Sequence, residues 1–119
     1  MQMSVRPGRA CTVVRVSGEL DMDTSPMLED CLREVIDAGA RRVVLDLAGV
    51  AFMDSSGLSL LVLTHRRLAD VGGRLCLADV RETVRYVLVL SALDRVLGMY
   101  ESVAAAEDDM PPLASEGVR

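Results

Sequence analysis

The sequence predicts an α/β layer fold in which a mostly parallel sheet is covered by helices. Two observations carry this. Three short apolar runs rich in β-branched residues or leucine, Cys11–Val16, Arg42–Leu47 and Arg74–Ala78, recur along the chain. Stretches between them repeat their apolar residues at helical spacing and stop at glycine. Strands alternating with helices pack as layers, and strands joined through helices run parallel with right-handed crossovers.

The elements follow in order. Met3–Arg6 is expected to pair with Cys11–Val16 as an antiparallel hairpin turning at Pro7-Gly8. Ser17-Gly18-Glu19-Leu20-Asp21 is expected to leave that strand. Thr24-Ser25-Pro26 reads as a helix start, with a hydroxyl cap and proline in the first turn. Leu28, Cys31 or Leu32, Val35 and Ile36 then mark a helix that Gly39 stops. Arg42–Leu47 is nearly all apolar, as suits a central strand buried on both faces. A second helix is predicted from about Ser56 to Asp70, closed by Gly72-Gly73. Arg74–Ala78 is a strand, Thr83–Leu90 a helix, Val96–Tyr100 a last strand and Glu101–Asp108 a last helix. Residues 1–109 form one domain in this reading, and 110–119, with Pro111-Pro112, form a disordered tail.

Composition narrows the function classes. Of 119 residues, 50% are hydrophobic but only 3% aromatic, so the core must be aliphatic. A net charge of -5 disfavours nucleic acid and anionic lipid, so neither is expected as a partner. Cys11, Cys31 and Cys76 lack metal-binding spacing and read as buried thiols in a reducing compartment, hence a cytoplasmic protein. The N-terminus lacks a signal-peptide run, and the longest apolar stretch, Leu58–Leu63, is too short to span a membrane.

The informative junction is Asp54-Ser55-Ser56-Gly57, where the central strand hands over to the second helix. Hydroxyls there cap helices; the same position also stabilises anions, so a phosphate on serine could be tolerated. Spacing alone leaves both readings open. A helical wheel puts Leu58, Leu61, Val62, His65, Leu68 and Ala69 inward. It turns Ser56, Leu60, Leu63 and Arg67 outward, with Ser59 and Arg66 beside them. Leu60 and Leu63 then suggest a binding face. His65, the one histidine, lies ~15 Å along the helix from Ser55, too far to act as its general base. No metal-loop or phosphate-loop spacing occurs, so neither metal nor cofactor is expected.

Taken together, Gly18-Glu19-Leu20-Asp21 with Thr24, Val43–Leu47, Phe52-Met53-Asp54-Ser55-Ser56-Gly57-Leu58, Gly72-Gly73-Arg74-Leu75 and Ser91-Ala92-Leu93 resemble the STAS family. Within it they resemble the stand-alone anti-sigma factor antagonists, over residues 3–108. The resemblance implies a mixed sheet of four to five strands with about four helices mainly on one side. It implies a non-enzymatic partner switch. An anti-sigma factor that is a serine kinase binds the unmodified antagonist and releases a sigma factor. Its phosphorylation of Ser55 ends binding, and a PP2C-like phosphatase reverses the modification. Asp21, Asp23, Thr24, Asp54, Ser56, Gly57, Ser59, Leu60, Leu63 and Arg67 are the expected partner-binding residues, on a monomer or weak homodimer. The other expectation is a non-switching STAS scaffold, such as a subunit of a lipid-transport or stress-signalling complex. Two positions depart from the family pattern, Ser59 and Ala92, where glycine is frequent.

Overall fold

The computed structural model describes residues 1–110; the expected tail at 111–119 lies outside the described residues. Five strands, β1 (Gln2–Gly8), β2 (Cys11–Leu20), β3 (Arg42–Met53), β4 (Arg74–Ala78) and β5 (Gly98–Tyr100), form one sheet in chain order. The β1–β2 pair is antiparallel and every later pair is parallel. Helices α1 (Ser25–Asp37), α2 (Ser55–Asp70) and α3 (Glu82–Leu90) make the three crossovers, and α4 (Val103–Asp108) follows β5. Each crossover steps one strand in the same direction. Right-handed connections repeated that way leave all three helices on one face.

Strand alternation divides the core accordingly. Val43, Leu45 and Leu47 of β3 meet Leu28, Leu32, Leu61, Leu68, Val84 and Leu88 from the three helices. Val44, Cys76 and Ala78 face the other way, beneath Ala106 of α4 and Met110. Met110, the first residue of the expected tail, is therefore packed.

Several boundaries differ from expectation. The hairpin turns at Arg9-Ala10, because Pro7 and Gly8 pair with Thr12 and Cys11. The polar Ser17-Gly18-Glu19 stretch stays in β2, irregularly paired with the second half of β3. β3 consequently runs to Met53, seven residues after its pairing with β4 ends at Asp46. Local composition marked a turn there, and long-range pairing overrode it. Val96 and Leu97 precede β5, where the amide of Leu97 bonds the Leu93 carbonyl at 2.9 Å. α4 begins at Val103, since the Ser102 hydroxyl accepts from the Ala105 amide at 3.0 Å and caps it. Among the thiols only Cys76 is buried; Cys11 and Cys31 are half-buried, and all three are free.

Candidate functional site: the exposed start of α2

β3 ends against β2 where the Asp54 amide donates to the Leu20 carbonyl at 3.0 Å. Asp54 then caps α2. One carboxylate oxygen accepts from the Ser56 amide at 2.9 Å and from the Ser56 hydroxyl at 2.5 Å. The Ser56 hydroxyl bond, reinforced by the backbone donors, holds the Asp54 carboxyl below the usual aspartate range. The cap is thus the carboxylate, and not the hydroxyls suggested by spacing. Ser56 is occupied further, its hydroxyl lying 3.3 Å from that of buried Ser25 in α1. Ser55, the first helical residue, is exposed, and its hydroxyl makes no hydrogen bond among the described residues. Gly57 lets the helix start sit on the sheet. A Cβ there would lie 2.6 Å from Met53 Cγ and 3.2 Å from Leu20 Cβ.

The loop from β2 to α1 is fixed by its own side chains. An Asp21 carboxylate oxygen accepts from the amides of Asp23 at 2.9 Å and Thr24 at 3.0 Å. The Thr24 hydroxyl donates to the Glu19 carbonyl at 2.6 Å and accepts from the Asp21 amide at 3.0 Å. Thr24 stands at the cap position of α1, yet its side chain makes no capping bond, because the loop uses it. Met22 at the loop's tip is 78% exposed.

The orientation of α2 corrects the helical wheel. Gly57, Leu60, Leu61, Thr64 and Leu68 are buried, whereas Leu58, Val62 and His65 are half-buried and Ala69 is exposed. Leu60, expected to point outward, is only 5% exposed. The wheel assumed one packing partner, the sheet. α1 lies alongside as a second, widening the buried arc toward Leu60 and Thr64. Thr64 can be buried because its hydroxyl donates to the Leu60 carbonyl at 2.8 Å. Leu63 remains half-exposed. Arg67, another expected partner residue, places a guanidinium nitrogen 3.5 Å from Glu29 of α1.

Two open grooves flank the exposed ridge of α2. One, of about 410 Å³, is lined by Met22, Ser25, Pro26, Glu29, Ser56, Ser59, Leu60 and Leu63. The other, of about 420 Å³, is lined by Leu58, Ser59, Val62, Leu63, Arg66, Ser91 and Leu93. Ser59 and Leu63 border both. Of the expected residues, Ser56, Ser59, Leu60 and Leu63 therefore meet at the first groove, close to Ser55 in the chain; Asp21 and Thr24 shape the adjacent loop. Met22 was not foreseen, since one methionine in a polar turn gives no periodic signal.

Fold and site define a class: a small α/β domain that presents an unengaged serine at the start of a helix flanked by two shallow, partly apolar grooves. A family model described as STAS domain matches residues 2–106. The chain belongs to the STAS domain family. It is 32% identical over 103 residues to the anti-sigma F factor antagonist of Paenibacillus polymyxa, covering 86% of this chain and 88% of that one. The unphosphorylated anti-sigma factor antagonist SpoIIAA superposes with a TM-score of 0.78 at 28% identity, covering 99% of both chains. The phosphorylated Bacillus SpoIIAA gives 0.71, also at 28% identity, over 90% of this chain and 97% of that one. The five-stranded mixed sheet matches those antagonist structures. Among the described residues no helix is long and apolar enough to cross a membrane.

Proposed function

We propose that this chain is an anti-sigma factor antagonist switched by phosphorylation of Ser55. In its unmodified form it binds a serine-kinase anti-sigma factor through the α2 ridge and the first groove, so freeing a sigma factor. The kinase transfers a phosphoryl group from ATP to the Ser55 hydroxyl, and a PP2C-like phosphatase removes it. The observation that carries this reading is the contrast between neighbouring hydroxyls: Ser56 is tied to Asp54 and Ser25, whereas Ser55 is exposed and unengaged. The names of the relatives support the antagonist role.

A phosphate adds about 1.5 to 2 negative charges at pH 7. It would stand beside the Asp54 carboxylate, with the α2 amides and dipole partly compensating it. A partner packed on this end would have to desolvate a dianion, which costs several kcal/mol unless matched by cations. α2 stays anchored through Leu60, Leu61, Thr64 and Leu68, so the effect is local blocking, without refolding. Mass spectrometry of the protein isolated from its own cells tests the reading. One phosphate on Ser55, absent from Ser55→Ala, is expected. Its consistent absence under growth and stress would favour a non-switching scaffold.

A further inference from the structure

The two grooves beside α2 differ in charge. The first carries Glu29 in its wall, and Asp54 caps the helix beside its Ser56. The second has no acidic residue in its wall and carries Arg66. The neighbouring arginines are not equivalent. Arg67 is engaged by Glu29, while Arg66 is exposed and has no ion pair among the described residues. The apolar surface below Arg66 comes from Leu58, Val62, Leu63 and Leu93, and the Ser91 hydroxyl there is turned to its own helix, donating to the Leu88 carbonyl at 3.0 Å.

We infer that the groove between α2 and the Ser91–Leu93 turn is a second docking site, whose occupant is a partner-protein segment pairing an apolar side chain with a carboxylate. The apolar side chain lies on Leu58, Val62 and Leu93, and the carboxylate meets Arg66. Charge complementarity selects this occupant, because a cationic segment would face Arg66 and find no anion in the wall. The groove adjoins the first one through Ser59 and Leu63. Arg66 nevertheless lies 11 residues beyond Ser55, ~16 Å along the helix. That exceeds the screening length of about 8 Å at physiological salt, so the Arg66 contact persists when Ser55 is phosphorylated. The protein then has one contact that phosphorylation breaks and one that it leaves intact. A partner that must recognise the phosphorylated form, as a phosphatase does, can hold the second.

This inference rests on the reading of the chain as a partner-binding antagonist, but its test does not depend on Ser55 being modified. The probe is a capped pentapeptide of alternating glutamate and leucine, titrated into the full-length, isotope-labelled protein while amide shifts are followed. Saturable shifts are expected at Leu58, Val62, Arg66, Ser91 and Leu93. Arg66→Glu should weaken binding about fivefold, in keeping with the loss and reversal of one exposed charge pair. Ser55→Glu should leave the affinity within about twofold. Equal binding of the lysine-for-glutamate peptide, or shifts confined to Met22, Glu29 and Leu60, would overturn the inference. So would shifts of the same groove amides on dilution of the protein alone, since a second copy would then be the occupant.

Discussion

The two faces of α2 are built to different rules. Facing inward, Gly57, Leu60, Leu61, Thr64 and Leu68 lie at spacings of three and four residues, and each meets the sheet or α1. Outward, Ser55, Ser59, Leu63 and Arg66 follow the same spacing but meet only solvent and two grooves. One helix therefore carries a stability stripe and, in the proposed function, a recognition stripe. A change on the first should be read in the melting curve, and one on the second in partner binding.

The widest separation is expected from Leu61→Ala. Leu61 is fully buried, so the cavity should cost about 2–5 kcal/mol in denaturant unfolding. A cost below 1 kcal/mol would show that the inner stripe is loosely packed. Gly57→Leu comes next, at about 1–3 kcal/mol, because Met53 and Leu20 leave no room for a side chain. A stabilised variant would mean that the helix start can lift from the sheet. Asp54→Ala should lower the melting temperature at neutral pH through loss of the cap, by less than either core change. The folded carboxyl titrates below its ordinary range, so the cap's contribution is present above that range. It fades as pH falls through the depressed value. The gap in melting temperature between wild type and Asp54→Ala should accordingly shrink in acid; a constant gap would remove the carboxylate from the explanation. The smallest effect on stability, under about 1 kcal/mol, belongs to Leu63→Asp on the outer stripe. Calorimetry with the anti-sigma partner should nevertheless show binding lost. A large fall in melting temperature would merge the two stripes.

Much of this was legible in the sequence, for reasons that can be located. Val43–Leu47 and Leu75–Leu77 are apolar enough to name themselves as central strands, and the Asp54–Gly57 handover fixed the start of α2 to within one residue. What was misplaced or left open depended on a third body. Leu60 and Leu63 are equivalent on a wheel; only α1 distinguishes them. Arg66 and Arg67 are equivalent as residues; only Glu29 does so. Ser17–Glu19 has turn composition and is a strand because β3 continues beside it. Ala92, one of the two departures from the family pattern, adopts φ of 62° in the left-handed region, where the frequent glycine would be unstrained.

The sheet order, β1 to β5 without interruption, also sets a timetable. As the chain leaves the ribosome, each new strand finds its neighbour already made, so no strand must wait for a later one to be inserted between earlier pairs. Each parallel pairing closes on a strand that precedes it in the chain, so the sheet can be built in the order of synthesis. The groove between α1 and α2 needs nothing beyond Leu63, whereas its counterpart needs Ser91 and Leu93. The nascent protein thus completes its serine-bearing surface one full strand–helix unit before the arginine-bearing one. During that interval the open edge of β3 is the surface that β4 has yet to cover.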